Sequence, residues 1–310
     1  MGSFKTSPRV SFGVPVRNAE SYLDRLLDSL LAQTFHDFEV VISDNASTDR
    51  TAEICGSYAC RDARIRYFRN DVDLGQVENV NLVFNRSAGE FYRFIGADDW
   101  LEPNYLERCL AEFERYPNAI AISTDQDFID DDGNQYFASY DGERVHSHLP
   151  HERFGRMLWF AMESYLYFDP IYSLIRRSAL MSTNLCQFVP RTDGVLAAEL
   201  SIVGPFRHVP GLLAHRRREH RPTQSDLQNV LRRYHPTRWQ EFLPSSIKTS
   251  RSLAACVVSA QNMSLGQKVR AFRHVITYLG RSQYRALNKV CRDWLRDRLK
   301  AKKDLGPAKE

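Results

Sequence analysis

Residues 90–100 read Glu-Phe-Tyr-Arg-Phe-Ile-Gly-Ala-Asp-Asp-Trp, a short apolar run that stops on two adjacent carboxylates. Phe91–Ile95 has the length of a strand buried in a parallel sheet. Open α/β sheets bind their ligands just outside the carboxyl ends of such strands. Two neighbouring aspartates at that place are costly unless something positive neutralises them. A hard divalent cation bridging to phosphate does so, since Mg²⁺ and Mn²⁺ prefer carboxylate and phosphate oxygens. Asp98 and Asp99 are therefore the first candidates for a metal–diphosphate site. The competing reading is a solvated Asp-Asp turn that caps the next helix.

Working outward from this run, apolar strand-like segments alternate with helical patterns. Strands are expected at 10–14, 38–43, 64–68, 91–95 and 119–123. Asn18 is placed to cap a helix running to Thr34, with Tyr22, Leu23, Leu26, Leu27, Leu30 and Leu31 on one face. Ser47 or Thr48 is placed to cap a helix through Tyr58, Gln76–Asn85 forms a third helix, and Pro103 opens a fourth to Tyr116. This alternation implies a mostly parallel sheet with helices on both faces. Residues 125–150 are polar and read as loop or hairpin. The acid-rich stretch 125–133 fails as a calcium loop, because Phe128 and Ser139 stand where acidic ligands are needed, so it reads as a solvated turn. A helix is expected at 151–163, and Asp193 at a second acidic strand end or loop.

The bulk numbers suit a soluble globular chain. Its 310 residues, 43% hydrophobic and 26% charged, allow one large domain with an appendage. No run of about 18 or more apolar residues is present, so no transmembrane helix is expected. No secretory signal is read at the N-terminus, and Met1–Thr6 matches a permissive myristoylation pattern only formally. The six cysteines are scattered without a Cys-x-x-Cys pair, which argues against a zinc site or disulfide framework and for a reducing, cytoplasmic setting. Net charge is +4, but between Lys248 and Lys303 there are 14 Lys and Arg against two acids. Leu265, Val269, Phe272, Ile276, Leu279, Leu287, Val290, Trp294 and Leu299 recur there at near-helical spacing. A basic amphipathic helix either docks on an anionic membrane surface or packs its stripe on the main domain. Interleaving of the charges with the stripe disfavours a nucleic-acid platform.

Asp44 closes the second strand in Ile-Ser-Asp-Asn-Ala-Ser-Thr-Asp-Arg-Thr, residues 42–51. A carboxylate there can accept a nucleobase N–H, bind a ribose hydroxyl as in dinucleotide folds, or serve as a helix or turn cap. The turn Gly13–Glu20 has neither the dinucleotide glycine pattern nor a P-loop, so a bound diphosphate must be neutralised in another way. The same turn argues against a nucleotidyltransferase, which needs a glycine-rich loop there.

These segments together resemble the family-two glycosyltransferases of the GT-A fold. The resemblance rests on Val14-Pro-Val-Arg-Asn18, on 42–51, on Gly89-Glu-Phe with Ala97-Asp-Asp99, and on Thr192-Asp-Gly194, and it covers about residues 8–222. It implies a Rossmann-like GT-A domain over 1–240, with a nucleotide-sugar half at 8–124 and an acceptor half at 125–240, followed by a basic helical region at 241–310. It implies that Val14 and Pro15 line the base pocket, that Asp44 reads the base, and that Asn18 and Asn45 join the nucleotide site. Asp98 would contact the ribose side and Asp99 would ligate Mn²⁺ or Mg²⁺, with Asp98 as a second metal contact. Asp193 would be the general base. Many relatives carry a third acid two positions before Asp98, where this chain has Gly96. Within Ala-His-Arg-Arg-Arg-Glu-His-Arg, 214–221, His220 is preferred to His215 as a contact to the metal.

The chemistry expected on this resemblance is transfer of one sugar from a nucleoside-diphosphate sugar to an acceptor hydroxyl, on a sugar, a lipid-linked molecule or a small molecule, with inversion at the anomeric carbon. Such transfer needs a base for the acceptor proton and positive charge on the leaving diphosphate, which the metal and Arg216, Arg217 or Arg218 can supply. Most of the aromatics Trp159, Phe160, Tyr165, Tyr167, Phe168 and Tyr172 are expected in the core. Arg238-Trp239 resembles part of the Gln-x-x-Arg-Trp motif of processive synthases, but His235 stands at the Gln position. A non-catalytic GT-A-like binding protein is the competing class.

Overall fold

The first four strands are short apolar runs, each followed by a polar turn, and they pair in parallel. They are β1 (Val10–Val16), β2 (Phe38–Asp44), β3 (Ile65–Arg69) and β4 (Phe91–Phe94), separated by α1 (Leu23–Leu31), α2 (Thr51–Arg61) and α3 (Gln76–Asn85). The structure is a computed structural model that describes residues 7–130, 132–138, 144–163, 170–218 and 245–304. β1 lies between β2 and β4, with Val10 opposite both Phe38 and Phe91. β2 is buried along its whole length, which is why it shows no in–out alternation. On α1, Leu23, Leu26, Leu27 and Leu30 follow helical spacing and are all fully buried.

After β4 come β5 (Trp100–Leu101), α4 (Tyr105–Arg115), β6 (Ala121–Asp130), β7 (Gln135–Ala138) and α5 (Pro150–Glu163). The chain continues through β8 (Leu174–Arg176), α6 (Arg177–Met181), α7 (Thr192–Val203) and β9 (Phe206–Arg218) to α8 (Ser245–Ser259) and α9 (Leu265–Asp304). The nine strands form one mixed sheet in the order β3-β2-β1-β4-β8-β6-β9-β5, with β7 hairpinned onto β6. β8 is antiparallel to both β4 and β6, whereas β6 and β9 are parallel. Apolar side chains of α1, α2 and α4 cover one face of the sheet. Those of α3, α5, α7, α8 and α9 cover the other.

Several local expectations change. Asn18 does not cap α1; it sits in the left-handed region at φ 51°, and α1 starts at Leu23. Neither Ser47 nor Thr48 caps α2, whose first amide, Thr51 N–H, donates to Asp49 Oδ1 at 3.0 Å. The fifth strand runs on to Asp130, because its polar residues find partners on β9. The 125–150 region does contain a hairpin, and its turn is closed by Asp130 Oδ1 accepting from Asn134 N–H at 2.8 Å. On α9 the buried face is Ala271, Val275 and Tyr278, while Leu265, Val269 and Ile276 of the expected stripe are exposed. Leu253, Cys256 and Val257 of α8 and Ala271, Val275 and Tyr278 of α9 thus join the main core, sharing a cluster with Phe154 and Met157 of α5 and Leu196 of α7. Among the described residues no helix is long and apolar enough to cross a membrane.

Candidate active site

The carboxyl ends of β1, β2 and β4 open onto a cavity of about 580 Å³. Pro15, Asn18, Asn45, Asp98 and Asp193 all line it, so five residues spread from 15 to 193 in the chain meet in one space. The loops that form its rim are fastened to each other by side chains. Asn18 N–H donates to Ser47 Oγ at 3.0 Å, and Asn18 Oδ1 accepts from Thr48 N–H at 2.9 Å. Asn45 Nδ2 donates to Asp73 Oδ1 at 2.5 Å, and Asn45 Oδ1 accepts from Leu74 N–H at 2.9 Å. Arg17 completes the rim as an ion pair with Asp73. Asp73 is a lining residue that the sequence reading missed, since Asn70-Asp-Val-Asp-Leu-Gly75 looks like any polar turn.

Two residues expected at the nucleotide site do not line this cavity. Val14 is fully buried in the core and does not line the cavity; its neighbour Pro15 does. Asp44 is also fully buried, and its carboxylate accepts from Ser47 N–H at 2.9 Å and from Tyr67 Oη at 2.8 Å. With Arg69 at 3.8 Å as well, Asp44 braces the β2 turn, and Asn45 takes its place in the lining.

The two carboxylates after β4 also separate. Asp98 is half-buried and lines the cavity, whereas Asp99 is only 3% exposed and does not. Asp99 Oδ2 accepts from Gly96 N–H at 3.2 Å and lies 3.5 Å from Arg216 Nε. Burial pushes the Asp99 carboxyl up to about 6, with Arg216 pulling against it. Burial also raises Asp98, opposed by its own backbone hydrogen bond and by Arg216 and Arg217. Gly96 explains how both acids fit: a Cβ at that position would stand 2.8 Å from Asp98 Oδ1 and 3.1 Å from Asp99 Oδ2. The space that a third acid would fill is taken by the other two turning back over it.

Positive charge arrives from the end of β9. The Arg216 guanidinium lies 3.6 Å from the centre of the Tyr172 ring, and Arg217 lies 4.7 Å from that of Tyr22. Both tyrosines line the cavity. His215 is turned away from this work. Its Nδ1 pairs with Asp127 Oδ1 at 2.8 Å, its Nε2 with Glu102 Oε1 at 2.9 Å, and its ring stacks on Trp100 at 5.0 Å. Burial alone would lower its pKa, but the two carboxylates outweigh that and raise it. His220 and Arg238-Trp239 lie outside the described residues, as do Tyr165, Tyr167 and Phe168. Phe160 is a core residue, as expected, while Tyr172 faces the cavity.

Asp193 is exposed in the first turn of α7, not at a strand end or in a loop. The start of a 12-residue helix suits it, because the unpaired amides there favour a carboxylate. Among the described residues no three His, Cys, Asp or Glu side chains converge on a common point. Mg²⁺ and Mn²⁺ do not need that, being held commonly by one or two carboxylates together with substrate phosphates. Asp98 with Asp99 behind it matches that donor set, and the desolvation that raises both is what a cation would relieve.

Residues 11–182, more than half of the chain, match the model of the family Glycosyl transferase family 2. The chain belongs to this family. Among relatives, the glycosyltransferase GlyA of Streptococcus pneumoniae is 33% identical over 130 residues, which are 42% of this chain and 18% of that one. The chondroitin synthase of Escherichia coli is 28% identical over 227 residues, 67% of this chain and 28% of that one. The chain spans about half or less of the length of the relatives it matches, 44% in the case of GlyG of S. pneumoniae. Of solved structures, residues 1–349 of Staphylococcus aureus TarS superpose with a TM-score of 0.62 at 15% identity, covering 87% of this chain and 71% of that one. The mannosyltransferase PcManGT of Pyrobaculum calidifontis, in complex with GDP-Man and Mn²⁺, gives 0.52 at 16% identity, over 89% and 70%. The family's GT-A fold is therefore the fold of this chain.

Proposed function

We propose that the chain transfers one sugar from a nucleoside-diphosphate sugar to an acceptor hydroxyl, with inversion, using Mn²⁺ or Mg²⁺. The observation that carries this reading is the meeting of Pro15, Asn18, Asn45, Asp98 and Asp193 in one cavity at the strand ends. Two structural neighbours support it, since TarS has been solved with UDP and with UDP-GlcNAc, and PcManGT with GDP-Man and Mn²⁺.

In this mechanism Asn45, Asp73 and Asn18 shape the nucleotide end of the cavity. Asp98, with Asp99 behind it, holds the metal, which supplies positive charge to the leaving diphosphate. Arg216 and Arg217 add fixed positive charge at the same end, where low water content strengthens it. Asp193 takes the proton from the acceptor hydroxyl as that oxygen attacks the anomeric carbon from the face opposite the diphosphate. The exposure of Asp193 leaves room for the acceptor beside it. The acceptor is a sugar, a small molecule or a lipid-linked molecule. Leu265, Val269 and Ile276, exposed on a helix rich in Lys and Arg, suit peripheral contact with the inner face of a membrane.

Calorimetric titration with UDP, GDP and dTDP, each with and without Mn²⁺, tests the reading. One nucleotide is expected to bind tightly, to need Mn²⁺, and to lose at least about tenfold in affinity, some 1.4 kcal/mol, in Asp98→Asn. Asp193→Asn should keep that binding and lower transfer by about 10²–10⁴-fold, the usual contribution of a general base. Metal-independent behaviour with all three nucleotides would sink the mechanism and favour a non-catalytic binding protein.

A further inference from the structure

The loop that delivers Asp193, residues 182–191 between α6 and α7, is held in a shape that its own residues disfavour. Leu185 and Arg191 both sit in the left-handed region, at φ 54° and φ 59°. Side chains with a Cβ avoid that region, and such residues persist where their surroundings impose it. Here three helices do so. Glu199 of α7, only 7% exposed, accepts from Asn184 N–H at 3.1 Å and from Asn184 Nδ2 at 2.7 Å. Thr192, the first residue of α7, accepts from Gln187 N–H at 2.7 Å through Oγ1. Thr249 Oγ1 of α8 donates to Pro190 O at 2.9 Å.

The remaining tie comes from the opposite wall of the cavity. Asn81 of α3 uses both ends of its amide on one residue of the loop. Its Nδ2 donates to Cys186 O at 2.8 Å, and its Oδ1 accepts from Cys186 N–H at 3.1 Å. The same helix walls the donor cavity through Gly75, Gln76, Val77, Asn79 and Val80. Asn79 is in turn clamped to the end of β2, with Ser43 Oγ donating to Asn79 Oδ1 at 2.7 Å and Asn79 Nδ2 donating to Ser43 O at 2.9 Å. One helix therefore joins the strand end that carries Asn45 to the loop that precedes Asp193. Asp193 is exposed, so its place is set by the backbone that carries it. A group that must meet a reacting atom needs such a brace, since a misplacement of about 1 Å can cost about 10²-fold in rate.

We propose that Asn81 is a positioning residue for the transfer step, tying the loop ahead of Asp193 to the wall of the donor cavity. The inference rests on Asp193 acting as the base. The test follows release of UDP from UDP-GlcNAc and of GDP from GDP-Man by the full chain with Mn²⁺, water standing in for the acceptor. Asn81→Leu is similar in size but lacks both hydrogen bonds, and it should slow release about 10²-fold. Its affinity for the nucleotide with Mn²⁺ should stay that of wild type. In an Asp193→Asn background the same substitution should cost nothing more, because a residue acting through Asp193 has nothing left to position. Thr192→Val should repeat the loss and Thr192→Ser restore the rate, because serine keeps the oxygen that Gln187 N–H needs. Whichever donor the chain prefers, hydrogen exchange at the Cys186 amide should quicken in Asn81→Leu. An equal further loss in the Asp193→Asn background, a loss confined to nucleotide affinity, or unchanged exchange at Cys186 overturns the proposal. Full turnover in Asp193→Asn removes the base assignment and this inference together; a slow Asp193→Asn beside a fast Asn81→Leu removes this inference alone.

Discussion

The sheet is held by one chemistry from β3 to β4 and by another from β8 to β5. In the first part, β1, β2 and β4 are mostly apolar, with a few buried polar residues such as Ser11 and Glu39, and are pressed between helices on both faces. In the second, β6 carries Ser123, Asp125 and Asp127 on alternate positions, all buried, facing histidines of β9. His208 bridges Ser123 Oγ at 3.1 Å and Asp125 Oδ1 at 3.0 Å, and His215 meets Asp127. A polar ladder is satisfied in a single register. Where that register breaks, between Thr124 and Asp125, the Gly211 N–H donates to Asp125 Oδ2 at 2.7 Å, with Gly211 at φ 126°. The rigid apolar part presents the strand ends, and the polar part sets where Arg216 and Arg217 stand against them.

The contrast can be broken by mutation, starting with the largest effect. Leu27→Ala on α1 should cost about 4 kcal/mol in denaturant unfolding, as deletion of a fully buried leucine does, and the cost should not depend on pH. Asp127→Ala should cost about 3 kcal/mol by leaving a buried partner uncompensated, and here pH should matter. Because the folded pKa of His215 is raised, its contribution is fully present below about 6.5 and is lost as pH rises through the folded value. The Asp127→Ala penalty should therefore be smaller at pH 9 than at pH 6; a penalty flat with pH would put both parts of the sheet on the same footing.

Two smaller effects sharpen the comparison at the cavity itself. Asp99 is an acid raised to about 6, so the folded chain keeps a proton that the unfolded chain releases, and stability falls as pH climbs from about 4 to 6. With divalent cations chelated, Asp99→Asn should be more stable than wild type by about 2 kcal/mol at pH 7, with the curves converging near pH 4. Asn18→Ala should cost about 1 kcal/mol, from the left-handed backbone at φ 51°, with Asn18→Gly costing less. If glycine costs as much as alanine, the contacts to Ser47 and Thr48 matter more than the backbone.

The same contrast explains what the sequence disclosed. Strands such as Phe38–Asp44 and the helix Gln76–Asn85 were legible because continuous apolar runs and helical stripes come from burial alone. β9 was not, since His208, Pro210, Gly211, His215 and Arg216–Arg218 break every strand pattern, and their partners sit on β6, about 80 residues earlier. Among candidate site residues, Asp98 was marked by its position after an apolar run, and Asp193 by the resemblance that Thr192-Asp-Gly194 carries. Asp44 carried the same mark as Asp98, but Tyr67 and Ser47 claim its oxygens, and nothing in 42–51 announces Tyr67. Asp99 and Asp98 differ by one position, and only the fold-back over Gly96 tells which of them meets the cavity.

β8 is three residues long, yet it sits between β4 and β6 and joins both parts of the sheet. During synthesis β4 emerges more than 80 residues before its neighbour Leu174–Arg176. Throughout that interval one edge of Phe91–Phe94, an aromatic strand, has no native partner to close it. Open aromatic edges are templates for pairing with other chains. The step at which a nascent copy is most exposed to aggregation, and to capture by a chaperone, should thus end when residue 176 clears the ribosome.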